Sequence, residues 1–229
     1  MIICEIYVEE GKRAFAVRLL NKMLLTLQNA DLKPTDRAAF LVNIARTYFF
    51  LGRYFQAASL FQEGYEIYYK NSNWYEAARA VYNAGSSFFN AGGKSQEKAF
   101  PLVEECRRIA EAHNLTGHLS HVEAFYGHDD YWHGNFAGAR DNYRRTHKYL
   151  HISDKSFRTL HVLSMLALIY LRTGQYKLAR KFASKTFTLA ESDESERYAS
   201  RYHNLRAEID WEEGHVAESQ EFLRDKKAA

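Results

Sequence analysis

Apolar residues return every three to four positions along almost the whole chain, and glycine interrupts the pattern at regular intervals. Around Gly52, Ala45 and Tyr48 stand seven and four residues before the glycine, and Tyr54, Ala57 and Phe61 follow it at helical spacing. This arrangement predicts two antiparallel helices. The small residue lets them approach, the aromatics fill the space between them, and the glycine ends the first helix with a positive φ. Six such phrases open at Gly11, Gly52, Gly92, Gly134, Gly174 and Gly214, spaced 41, 40, 42, 40 and 40 residues apart. The small position is kept as Cys4, Gly85, Gly127, Ala167 and Ala207. The aromatic position is kept as Tyr7, Phe88 and Tyr170, while Asp130 and Asp210 stand there in the fourth and sixth phrases. A fixed period of this length marks a solenoid, because each unit carries an apolar face that only its neighbours can cover.

First helices are therefore expected over about 1–10, 36–51, 73–91, 116–133, 156–173 and 196–213, and second helices over about 13–29, 54–70, 97–113, 136–150, 176–191 and 216–225. Pro101 falls in the first turn of its helix, where a missing N–H costs little. Polar joints at 70–73, 113–117, 153–156 and 191–195 separate the hairpins. None is long enough or rich enough in glycine and serine to act as a linker, so residues 1–229 read as one domain.

The pattern resembles the tetratricopeptide repeat, with Tyr82-Asn83-Ala84-Gly85 and Gly174-Gln175-Tyr176-Lys177-Leu178-Ala179 closest to its signature. The standard repeat has 34 residues. About six more per unit is similar to the longer repeats of bacterial signalling regulators and kinesin light chains. The closing proline of the motif is missing from most units, although Lys33-Pro34-Thr35-Asp36 lies near its place, with Asp36 expected to cap the following helix. The resemblance implies an all-α, right-handed superhelical solenoid of about six hairpins. It also implies a non-enzymatic scaffold whose first helices line a concave groove for a protein or an extended peptide.

Composition agrees with a helical chain: only two prolines, Pro34 and Pro101, occur in 229 residues. The 31 basic and 28 acidic residues are spread along the whole length, which argues against a general nucleic-acid binder. No stretch has the run of apolar residues that a membrane span needs. The start, from Met1 through Glu5 to Glu9 and Glu10, does not read as a secretory leader. Cys4 and Cys106 lie far apart in apolar helical patterns and read as buried free thiols. A cytoplasmic protein is expected.

Little in the sequence points to catalysis. Asn90-Ala91-Gly92-Gly93-Lys94-Ser95 imitates a phosphate-binding loop but sits at a hairpin turn with no strand before it. His113, His118, His121, His128 and His133 crowd one region beside Asp129 and Asp130 without metal-binding spacing, so neither metal nor cofactor is expected. His161 occupies the same repeat position as His121.

Repeat register places Ala39, Val42, Asn43, Arg46, Phe49 and Phe50 on the inner wall of the second hairpin, and Arg79, Tyr82, Asn83, Ser86, Phe89 and Asn90 on that of the third. The fourth adds His121, Ala124, Phe125, His128, Tyr131 and Trp132, the fifth His161, Arg172 and several apolar residues, and the sixth Arg201, Asn204, Glu208 and Trp211. By the resemblance, Asn43 and Asn83 hold a peptide backbone. Arg46 and Arg79 add charge, and Tyr82, Phe89 and Trp132 receive apolar side chains. The lysines of a carboxylate clamp are replaced by Val42 and Tyr82. Two further readings stand beside this one. In the first, His121, His128, His161 and Arg172 hold a charged metabolite in an effector sensor. In the second, the chain is a structural assembly unit that self-associates through Ile2, Ile3, Ile6 and the uncovered helix ending near Leu223.

Overall fold

The computed structural model describes residues 12–150, 157–192 and 196–214. Within them run ten α-helices: α1 (Arg13–Gln28), α2 (Pro34–Phe50), α3 (Tyr54–Lys70), α4 (Trp74–Ala91), α5 (Ala99–Ala112), α6 (Thr116–Trp132), α7 (Phe136–Tyr149), α8 (Phe157–Arg172), α9 (Tyr176–Ser192) and α10 (Glu196–Glu212). No strand occurs among the described residues, and no helix there is long and apolar enough to cross a membrane. The first helix expected at 1–10, with Cys4, Tyr7 and the isoleucines, lies outside the described residues. So do the helix expected at 216–225 and most of the joints at 153–156 and 191–195.

Each described first helix ends as the glycine pattern requires. Gly52, Gly92, Gly134, Gly174 and Gly214 have φ between 70° and 85°, where a side chain would be strained. In three hairpins the residue after the glycine donates its N–H back to the carbonyl four residues before the glycine. These bonds are Arg53 to Tyr48 at 2.9 Å, Asn135 to Asp130 at 2.8 Å and Gln175 to Tyr170 at 2.8 Å. This repeated C-cap satisfies carbonyls that the helix end would leave bare and aims the chain into the second helix. In the third hairpin a 3₁₀ segment, Gly93–Lys98, takes up the two extra residues, so α5 starts at Ala99 with Pro101 in its first turn.

Helix starts are less uniform. Asn73 and Asn135 cap α4 and α7 by accepting the N–H of Glu76 and Gly138. The expected Asp36 cap does not form. Pro34 is the first residue of α2, which puts Asp36 inside its first turn and leaves Lys33 at the cap without a side-chain bond. Pro34 sets that boundary through its fixed φ.

The chain folds as two compact units, Met1–Val122 and Glu123–Ala229. In the first, α1 to α5 pack each on the next, around a core that includes Leu20, Val42, Ala45, Tyr48, Phe61 and Ala84. In the second, α8 packs on α7 and α9, and α10 packs on both α8 and α9, around Tyr143, Leu166, Ala167, Ile169, Tyr170 and Ile209. The small positions sit at tight crossings. A Cβ on Gly85 would stand 3.1 Å from the Ala99 carbonyl, and one on Gly127 would stand 2.9 Å from the Tyr143 ring. Gly64 makes a third close approach, with Val42 2.7 Å from where its Cβ would be. Val42 is thus buried in the hairpin and not on an open wall, correcting the register reading. Phe125 is likewise buried, in the second unit.

The position four residues before the glycine reaches back to the preceding second helix. The Tyr48 hydroxyl donates to Asn21 at 2.5 Å, Arg144 donates to the Tyr170 hydroxyl at 2.7 Å, and Arg180 pairs with Asp210 at 2.5 Å. Asp210 therefore does with an ion pair what the tyrosines do with a hydroxyl. Asp130 instead bonds within its own hairpin, to Asn135 and Asn142.

Candidate functional site

In the first unit the residues expected on the inner wall come from α2, α4 and the start of α6. Asn43 and Asn83 occupy equivalent turns of α2 and α4, and both are half-buried. Their backbone carbonyls accept the hydroxyls of Thr47 and Ser87 one turn on, at 3.3 Å and 2.7 Å. Neither side-chain amide bonds to another described residue, which leaves each with its donor pair and its acceptor. Arg46, one turn from Asn43, is exposed and makes no ion pair with a described residue. Arg79, one turn before Asn83, pairs with Glu76 on its own helix.

Tyr82 differs from an open platform. It is half-buried, its ring lies 5.1 Å from that of His121 at 37°, and burial pushes its phenol well above the ordinary range, with Cys106 adding to the rise. His118 is buried beside it, edge-on to Tyr75 at 4.7 Å and 6.0 Å from His121. His113 stacks flat on Trp74 at 4.5 Å. His118 and His121 of α6 thus pack on aromatic rings of α4, and His113, at the end of α5, packs on Trp74 at the start of α4. Phe89 is half-buried, and its carbonyl accepts the Gln96 amide at 3.4 Å. Cys106 is a buried free thiol, raised to about 12 by burial.

In the second unit the end of α6 carries His128, Tyr131 and Trp132. Trp132 is 70% exposed, and its indole N–H donates to His128 Nε2 at 2.9 Å. Burial lowers the His128 pKa, and a neutral ring is what an accepting Nε2 requires. Arg172 faces Glu208 at 3.7 Å, and the neighbouring Tyr131 hydroxyl and Glu208 raise its pKa. His161 lies edge-on to Tyr143 at 6.1 Å, and Arg201 approaches the Met165 sulfur at 3.3 Å. Among the described residues no group of three or more potential metal ligands gathers. The charged-metabolite set is thus divided. His121 belongs to the first unit and His128, His161 and Arg172 to the second, each engaged with neighbours of its own unit.

Two features of the first unit lie outside the repeat register. Phe55 is 58% exposed although it lies on a second helix, and Arg13 and Arg53 line a cleft of about 620 Å³ at the hairpin turns. The basic residue beside the helix-ending glycine is visible in Gly11-Lys12-Arg13 and Gly52-Arg53, but a turn residue carries no periodic signal.

A family profile described as tetratricopeptide repeat matches residues 160–193, the α8 and α9 hairpin. No curated protein sequence matches. Among solved structures, aspartyl phosphate phosphatase F from Bacillus subtilis superposes with a TM-score of 0.78 at 16% identity, covering 96% of this chain and 58% of that one. The Rap conjugation gene regulator of plasmid pLS20, in complex with the Phr* peptide, gives 0.74 at 15%, covering 97% and 61%. Kinesin light chain repeats from Podosopora anserina give 0.63 at 18%, covering 86% and 95%. The chain spans about three fifths of the first two proteins. The likeness is one of fold, that of tetratricopeptide-like helical repeats.

Proposed function

We propose that this tetratricopeptide-like repeat protein is a non-enzymatic scaffold that binds an extended peptide segment of a partner along the inner wall of its first unit. The observation that carries this reading is the pair Asn43 and Asn83, repeated one period apart, with amide groups that no other described residue uses. A peptide unit offers the carbonyl and N–H that match these amides. Arg46 supplies a charge-assisted bond to a peptide carboxylate or carbonyl, and Phe89 and Tyr82 give apolar surface beside it. Arg79 contributes only by leaving Glu76, so its share is smaller than that of Arg46. Amides, a guanidinium and aromatic rings bind and orient; no nucleophile or acid–base pair stands among them. The Phr* peptide held by the pLS20 regulator supports the same use of the fold.

The test is selection of binders from a random peptide library on the immobilised protein, with Asn43→Ala/Asn83→Ala as the counter-selection surface. The reading expects a peptide family retained by the parent and lost from the variant. Peptides retained equally by both would place binding elsewhere.

A further inference from the structure

Along the hairpin turns of the first unit, basic residues outnumber acidic ones and stand beside exposed aromatics. Arg13 begins α1 and Arg53 precedes α3, and the two line one cleft of about 620 Å³ whose apolar sides are Val17 and Leu51. Neither helix has an acidic side chain in its first turn, and neither arginine pairs with a described residue. Phe55 follows Arg53 by two residues, in the first turn of α3. Phe55, 58% exposed, lies 6.4 Å from Phe88 edge-on, and the Lys98 ammonium stands 5.7 Å over the Phe88 ring. Lys94 is exposed on the same turn, where Glu97 is the one acidic residue between Gly92 and Ala99.

Arg13 and Arg53 pair with no described residue, and Phe55 leaves apolar surface in water. One partner relieves both. We infer that this turn edge is a second docking surface, separate from the asparagine wall, and that it takes an acidic protein segment bearing apolar side chains. Its carboxylates would lie against Arg13, Arg53 and Lys98, and an apolar side chain would cover Phe55 or enter the cleft between Val17 and Leu51. Charge complementarity selects the occupant: a basic or neutral segment leaves the arginines unpaired. A cleft with apolar walls favours a peptide over a nucleic-acid backbone, which needs the charges alone.

The experiment uses the full chain and fluorescence anisotropy with three probes. These are a short labelled peptide of glutamates carrying two phenylalanines, the same peptide with lysines for glutamates, and vesicles of phosphatidylcholine with phosphatidylserine. The glutamate peptide should bind, and more weakly as salt rises. Arg13→Glu with Arg53→Glu should weaken it by about tenfold or more, and Arg13→Gln with Arg53→Gln by less. Phe55→Ser should weaken it as well. Circular dichroism establishes that each variant keeps the parent's helix content. Asn43→Ala/Asn83→Ala should leave this binding unchanged, which separates the surface from the inner wall. Four results would overturn the inference: equal affinity for the lysine peptide, no change on charge reversal, tighter binding to the vesicles than to the peptide, or self-association of the parent abolished by Arg53→Glu.

Discussion

Replacing Gly85 tests whether the hairpins are held by close backbone approach or merely by helix propensity, because the two effects have opposite signs. Alanine in a helix interior is favoured over glycine by about 1 kcal/mol. Against that gain, a Cβ at Gly85 would meet Val103 at 3.0 Å, the Ala99 carbonyl at 3.1 Å and the Leu102 Cβ at 3.3 Å. Val103 and Ala99 are fully buried, and the carbonyl belongs to the backbone of α5, so relief requires α5 itself to move. Overpacking of this kind costs about 1–3 kcal/mol, enough to cancel or exceed the propensity gain. Gly85→Ala should therefore lower stability by up to about 2 kcal/mol, and Gly85→Leu by about 3 kcal/mol or more. At about 2–4 °C per kcal/mol, thermal melts followed by helical circular dichroism should resolve both. Gly117 supplies the control, since nothing lies within 4 Å of its Cβ direction and its backbone is helical. Gly117→Ala should be neutral or stabilising by up to about 1 kcal/mol. A Gly85→Ala protein as stable as Gly117→Ala would refute the reasoning.

Gly174→Ala should cost about 1–2 kcal/mol through its φ of 70° alone, since no atom crowds its Cβ position, and urea unfolding reads this directly. Asp210→Asn should destabilise the second unit by about 1 kcal/mol, because buried Asp210 would lose its charge toward Arg180 and Arg206 while Arg180 keeps Glu213; Asp210→Asn as stable as the parent would count against the tie. His128 has a folded pKa below the ordinary histidine value of 6.5, so the stability it protects is present above that value and lost as pH falls through the lowered one. A proton NMR titration should place its midpoint below 6.5, and Trp132→Phe, which removes the indole donor, should move that midpoint up. Glu105 is held below its usual value of 4.5, first by its bonds from Arg108, so its contribution is present above that value and is lost as acid titrates it; Glu105→Gln should flatten the stability curve there.

Most of the fold was legible because the repeat makes each hairpin a separate witness. The helix-ending glycines, the small residues at the crossings and the aromatics between helices follow from a backbone with few alternatives, and the predicted helices of the described hairpins end within about two residues of the observed ones. Where prediction failed, a local rule gave way to packing or geometry. Val42 has the register of a wall residue, but its side chain occupies the space that Gly64 leaves open. Asp36 looks like a cap, but proline geometry starts α2 two residues earlier. The candidate site was legible as positions and less so as partners. Register alone placed Asn43 and Asn83 on equivalent turns, yet it could not tell that Glu76 engages Arg79 or that Tyr82 turns toward His121. Those depend on rotamers, which no periodicity encodes. The turn-edge arginines escaped because the cleft they line exists only once α1 and the 51–53 turn are brought together.

Calorimetric titration of a library-selected peptide into the parent, and into an equally folded Asn43→Ala/Asn83→Ala protein, tests the inner-wall scaffold most directly. Loss of two amide pairings should weaken binding by about 1–3 kcal/mol, roughly fivefold to 150-fold, while the thermal melt stays close to the parent's. An affinity unchanged within about twofold would contradict the account, since the amides on which the wall depends would then hold nothing.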